Sequence, residues 1–295
     1  MKVRIGIGLG TRSGAENFGE MVDALERLRF DSLWLSERAT GDAPDPMIGL
    51  AFAAGRTQKL KLGTSVQVLS GRNPALVAKE WASLDRLSHG RALPAFGLGV
   101  VDPGEQQAFG IAREQRASWF DEALPLIRRF WTEDTVDHDG EHFHYSSLGI
   151  GPKPAKQPDV WLGGAAPSEL RRVGRLGDGW LPSFCTPDDA AAGRPVVEEA
   201  AAKAGREIDP EHFGALVIYV PGGEVPPLLA AVVQHRRPGL DPSAVIPAGH
   251  AALRRQLEAF IDRGFSKLVA VPAGDPASWD DELEALAAAV LPLQT

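Results

Sequence analysis

Between Leu62 and Val100 the chain spells out one unit that leaves few folds open to it: an apolar run, a helical period and a second apolar run. Leu62–Leu69 (LGTSVQVL) is apolar and rich in β-branched residues. It is flanked by Gly63 and the Gly71–Pro74 breaker, the pattern of a buried strand. Pro74 stands where a helix can start, Leu76, Val77, Trp81, Leu84 and Leu87 recur at helical intervals, and Gly90 closes the period. Ala92–Val100 is apolar and punctuated by glycine, a second strand without a polar face. Two strands that are apolar on both faces and joined by a helix pair in parallel with a right-handed crossover.

The rest of the chain repeats this alternation. Further strands are predicted at Val3–Leu9, Ser32–Ser36, Val160–Leu162, Gly177–Phe184, Phe213–Val220 and Lys267–Val271. Helices are predicted at Glu16–Leu28, Met47–Thr57, Trp119–Trp131, Ser168–Leu176, Pro195–Ala204, Leu228–His235, Ala251–Arg263 and Trp279–Leu291. Asp139-Gly140 is the dipeptide favoured by a two-residue type I′ hairpin turn. Eight strands alternating with helices over 295 residues are the count of a (β/α)8 TIM barrel with insertions, expected here as a single domain over 1–295. The proline-rich segment Pro221–Pro247 is the least regular part.

Composition narrows the partners. A net charge of −8 argues against nucleic acid and against an anionic membrane surface. One cysteine, Cys185, excludes an internal disulfide and a multi-cysteine metal site. Without a signal-peptide pattern or an apolar run of about eighteen residues, the expectation is a cytoplasmic protein acting on a small-molecule substrate, with a homodimer as candidate assembly.

Barrel chemistry belongs at the C-terminal strand ends. Those ends read Ser36-Glu37-Arg38, Val66–Ser70, Gly97–Asp102, Gly163–Ala166 and Ser183–Thr186. Their glycines leave room for a flat ring to approach the backbone; singly, each is equally a strand terminator. Leu162-Gly163-Gly164-Ala165-Ala166-Pro167 opens into a helix and exposes amides at its positive end, a phosphate cradle. Neither Gly6-x-Gly8 nor Gly97-x-Gly99 has the third glycine of a dinucleotide fingerprint, and no P-loop is present. Asp102 is a candidate acid or base, or else an Asx turn before Pro103-Gly104. Cys185 is a candidate cofactor or substrate contact, or a buried inert thiol. His138, His142 and His144 lack a third ligand fixed by spacing, so no metal is expected.

The words LGTSVQVL, RNP, LDRLSHGR and GLG resemble the luciferase-like monooxygenase superfamily, in particular its branch using the deazaflavin coenzyme F420. The resemblance implies an F420-dependent oxidoreductase, with FMN as the alternative cofactor. It implies cofactor contacts at Ser65, Val66, Gln67, Gly97, Gly99, Val100, Val101, Gly163, Gly164, Ala165, Ala166, Cys185 and Thr186, with a cis peptide at Ser65–Val66 and the cofactor phosphate at Gly163–Ala166. Glu37-Arg38 stands where sugar-phosphate dehydrogenases of the branch carry Asp-His. Arg38 cannot be a base at neutral pH. Glu37, Arg38 and Asp102 are therefore the candidate catalytic set, with a rim salt bridge as the other reading of Glu37-Arg38. Lys153, Lys156 and Arg194 are candidates for the coenzyme's acidic tail. The competing readings are an FMN-dependent monooxygenase and a flavin-binding carrier that has lost its catalytic residues.

Overall fold

The computed structural model describes every residue except Arg12 and Ala15. In chain order the elements are β1 (Arg4–Leu9), α1 (Phe18–Leu28), β2 (Ser32–Leu35), α2 (Pro46–Arg56), β3 (Lys61–Thr64), β4 (Gln67–Val68), α3 (Pro74–Leu87), β5 (Ala92–Leu93), β6 (Ala95–Gly97), α4 (Pro103–Phe109) and α5 (Arg116–Thr132). There follow β7 (Val136–Asp139), β8 (His144–Leu148), β9 (Trp161–Leu162), α6 (Pro167–Leu176), β10 (Gly179–Trp180), α7 (Pro187–Lys203), β11 (Gly214–Tyr219), α8 (Pro227–Arg236), α9 (His250–Asp262), β12 (Lys267–Pro272) and α10 (Trp279–Val290).

One parallel sheet runs β11-β12-β1-β2-β3-β5, and a second runs β10-β9-β6-β4. The two share strands that are broken in the middle: β3 and β4 are halves of the predicted Leu62–Leu69 strand, and β5 and β6 are halves of Ala92–Val100. The parallel bridges Trp180↔Phe213 and Ser183↔Leu216 join β10 to β11. The pairing therefore closes on itself through eight strands, as the alternation predicts.

The break at Ser65–Val66 flips the side-chain alternation, because a one-residue slip moves every later side chain to the opposite face. Leu62 packs outward against the helices and Gly63 faces inward onto Trp34. Past the Ser65–Val66 peptide, which is cis, Val66 lies inside the barrel while Gln67 and Leu69 face the helices. The next strand keeps its alternation through Pro94: Leu93 and Ala95 point inward, Ala92 and Phe96 outward.

Trp34 fills the barrel interior, edge-on to Trp161 at 6.4 Å between ring centroids. A Cβ added to Gly6 or Gly63 would run into the Trp34 ring, and one at Gly179 would lie 2.6 Å from Trp161. These strand glycines make room for tryptophan, not for a ligand. Outside, the main core joins the outward strand faces to the helices through Leu25, Trp81, Phe120, Phe130 and Phe260.

Helix starts follow local chemistry. Asp45, Asn73, Asp102 and Thr186 each accept hydrogen bonds from the following amides, and each precedes a proline in the first turn. α4 lies where the sequence suggests only a turn. α5 and α7 begin earlier than predicted, and Pro125 and Pro195 sit inside them. The predicted two-residue hairpin turn is replaced by a four-residue connection, since Asp139 pairs with His144. Glu122 of α5 shapes that connection by accepting from the amides of His142 and Phe143 at 2.9 and 3.0 Å.

The LSHGR word is structural. Arg91 is buried and donates to Ala54 O, Thr57 O, Thr57 Oγ1, Leu60 O and Ser88 O at 2.7–3.0 Å. It satisfies the carbonyls that α2 leaves open at its C-terminus.

Candidate active site

The C-terminal strand ends form a mouth whose floor is poor in side chains. Val66 points into it from the broken strand, and a Cβ on Gly97 would lie 2.5 Å, and one on Gly163 3.4 Å, from the Val66 methyls. Val66, Gly97 and Gly163 are all half-buried, so this floor is open to solvent. Ser36 Oγ lies 3.2 Å from both Ser65 O and Ser65 Oγ beside it. Gly99 turns with φ +82° over Val68, and Val100 and Val101 stand exposed on the rim. Beneath that turn Arg116 is buried, donates to Val100 O at 2.7 Å, and has an Nε without a hydrogen-bond partner.

Glu37 and Arg38 do not act as a pair. The Glu37 carboxylate is buried, accepts from the Val68 amide at 2.6 Å and binds Arg72. Burial pushes its pKa above the usual carboxylate value, against the pull of the Arg72 guanidinium. Arg38 turns the other way, 3.4 Å from Asp102 and 3.7 Å from Glu105. Asp102 is the N-cap of α4, accepting from the amides of Gly104 and Glu105 at 2.9 and 3.1 Å. Glu105 is buried and holds the Ala39 and Thr40 amides at 3.2 and 2.9 Å. Glu37 and Arg38 border a cleft of about 470 Å³ reaching Gly71, Arg72 and Phe109. The Asx geometry expected at Asp102 is present, and the ion pair at Arg38 is with α4 and not with Glu37.

Several predicted contacts lie elsewhere. Gln67 is fully buried on the helix side, where its Oε1 accepts from Trp81 Nε1 at 2.7 Å. The register flip at Ser65–Val66 turns it away from the mouth. Cys185 packs in the outer core, and burial pushes its thiol pKa up to about 12. Thr186 caps α7, with its hydroxyl and amide both bound by Asp189. Lys153 donates to Phe130 O at 2.7 Å, at the C-terminus of α5, and Lys156 borders a cleft at the N-terminal ends of the strands. Arg194 bonds Glu198 and Gly264 O and lies over the Phe213 ring. None of the three cations is at the mouth.

The expected phosphate cradle exists but is occupied from within. The amides of Ala165 and Ala166 both donate to Glu169 Oε2 at 2.9 Å, and Gly164 adopts φ +100° to allow it. An anion could use these amides only after Glu169 swings out. Sequence reasoning missed Glu169, although its place three residues past Ala166 is a capping-box spacing. It also missed Arg72, Arg116 and Glu105, which no local pattern marks as long-range partners. The histidines are each engaged separately: His138 by Glu122, His142 by Ser118 and His144 by Asp139.

Residues 1–223 match the family model described as luciferase-like monooxygenase. The F420-dependent glucose-6-phosphate dehydrogenase of Intrasporangium calvum is 32% identical over 221 residues, covering 68% of this chain and 66% of its own length. The chain thus matches just under two thirds of that relative. A phthiodiolone/phenolphthiodiolone dimycocerosates ketoreductase of Mycobacterium tuberculosis is 32% identical over 170 residues, 56% of this chain and 44% of its own. Among solved structures, an F420-dependent secondary alcohol dehydrogenase superposes over 100% of both chains with a TM-score of 0.83 at 18% identity.

Proposed function

The chain belongs to the luciferase-like monooxygenase family, and from that premise we propose that it is an oxidoreductase using coenzyme F420 on a small organic substrate. The observation that carries the reading is the open floor of Val66, Gly97 and Gly163 across three neighbouring strand ends, beside the unpartnered Nε of Arg116. A flat ring fits such a floor, and a buried donor suits its carbonyl edge. When bound, the deazaflavin supplies a ring carbon that accepts or gives up hydride.

The chain's own part is to bind, orient and exclude water. Val66, Gly97 and Gly163 would back the ring, the Ser36 and Ser65 hydroxyls would face its polar edge, and Arg116 would hold the Gly99–Val100 turn against it. The amides of Ala165 and Ala166 would take the phosphate once Glu169 has moved. Glu37, locked by Val68 and Arg72, positions the broken strand, and Arg38 with Asp102 and Glu105 positions α4. Two relatives carry names that fit: one is an F420-dependent dehydrogenase and the other a ketoreductase.

We read residues 1–295 as one domain of a cytoplasmic protein; among the described residues no helix is long and apolar enough to cross a membrane. A homodimer is supported by α2, which carries no charged side chain from Pro46 to Gly55 yet leaves Ile48 70% and Phe52 48% exposed.

Titrating the purified protein with F420 and with FMN by fluorescence quenching tests the cofactor. Tighter binding of F420, with turnover independent of oxygen, is expected. Tighter FMN binding with oxygen-dependent turnover overturns the reading in favour of the monooxygenase.

A further inference from the structure

We infer that the half of the mouth formed by β10, β11 and β12 is a wall for an uncharged, hydrocarbon-bearing carbonyl compound or alcohol, not for a phosphorylated one. The inference rests on reading the mouth as the reaction site. Along β11 the outward residues Ala215, Val217 and Tyr219 are buried under helices. The inward residues Leu216 and Ile218 are only half-buried, so β11 shows aliphatic surface inside the mouth. Phe184, just past β10, extends this surface. It holds a left-handed φ of 54°, a conformation that side-chain-bearing residues adopt rarely.

The wall is fixed from behind. Val220, Val233, Val245 and Ile246 form a small separate core against which Phe184 and Ile218 pack. The proline-rich segment thereby seats α8 over the strand ends.

Charge argues for the same occupant. A phosphate group is held by converging cations that have no other partner. No lysine occurs between Lys203 and Lys267. Arg237 donates to both oxygens of Asp189 at 2.9 and 3.1 Å, and Arg263 is bound by Asp188. Arg236 lies over the Phe184 ring at 4.7 Å. On the far rim Arg38 and Arg72 are bound by Asp102, Glu105 and Glu37. Arg38, Arg72, Arg237 and Arg263 thus have carboxylate partners, while Leu216 and Ile218 keep aliphatic surface half-buried in the mouth.

Calorimetric titration of the full-length protein, with and without F420, tests this. The probes are the straight-chain 2-alkanones from 2-butanone to 2-octanone, and glucose 6-phosphate. Affinity should rise up to about fourfold per added methylene, and glucose 6-phosphate should bind more weakly than the longer ketones. Phe184→Ala and Ile218→Ala, each checked by melting temperature, should flatten the gradient. A flat series in the wild type, tighter glucose 6-phosphate binding, or an unchanged gradient in the folded variants overturns the inference. Loss of F420 binding with the ketone gradient intact would instead sink the cofactor assignment alone. If one variant fails to fold, the wild-type series and the other variant still decide.

Discussion

Replacing Glu169 with alanine should weaken the fold and strengthen ligand binding at once. In the wild type two amides donate to one carboxylate oxygen at 2.9 Å, on an exposed turn. Each such bond is worth about 0.5–1 kcal/mol net in that setting, so evicting Glu169 costs a phosphate-bearing ligand about 1–2 kcal/mol. Alanine removes that cost, and affinity for the cofactor should rise about 5- to 30-fold. The same change deletes a helix cap worth about 0.5–2 kcal/mol, and the melting temperature should fall by about 2–8 °C. Glu169→Gln keeps an acceptor without the charge and should lie between the two. Fluorescence quenching gives the affinity and scanning calorimetry the stability, with sulfate as a simpler anionic probe. Equal or weaker binding by both variants would show that no anion uses these amides. Gly164→Val is a poorer probe, because φ is +100° there and a Cβ would lie 2.7 Å from Glu169.

Other changes follow from the same contacts. Arg91→Met strands the carbonyls at the end of α2 and should cost about 3–5 kcal/mol in chemical denaturation; a loss below about 1 kcal/mol would contradict the five bonds assigned to it. Burial pushes Asp31 up, but the ammonium groups of Lys267 and Lys61 outweigh burial and hold it at about 2. Its stabilising contribution is present above about pH 4 and lost as pH falls toward 2. Asp31→Asn should therefore destabilise strongly at pH 7, by about 3–5 kcal/mol since Lys267 loses its partner, and the gap to wild type should shrink in acid. A pH-independent difference would contradict this. Arg38→Ala, by freeing α4, should raise KM or lower cofactor affinity while the melting temperature changes by less than about 2 °C; wild-type kinetics would leave the pair a surface contact.

Much of this architecture is legible in the chain because apolar runs and cap–proline pairs are local signals. Leu62–Leu69 and Ala92–Val100 announce buried strands, and Asn73-Pro74 announces α3. What period-two reading could not supply is the flip at Ser65–Val66. Without it Gln67 falls on the wrong face and Val66 on the helix side. Only the family resemblance pointed to Ser65–Val66. The site's polar framework was illegible for another reason: Glu105 reaches Thr40, Arg72 reaches Glu37 and Arg116 reaches Val100 across loops that carry no spacing signal. The glycines misled because tryptophan rings inside a barrel need the same space that a ligand would.

The closure between β10 and β11 has a mechanical consequence. β11 and β12 are registered over six residue pairs, whereas β10 meets β11 only at Trp180↔Phe213 and Ser183↔Leu216. That makes the junction a seam, the place where the ring parts most easily. The bond from Leu216 N to Pro182 O at 2.9 Å crosses it, and parting it leaves both neighbouring ladders whole. The amide of Leu216 should therefore exchange its hydrogen with solvent well ahead of those of Ala215 and Val217, which sit between β12 and the helices. Leu216 and Phe184 flank the seam, so the barrel can breathe where a bulky guest would enter without surrendering its core.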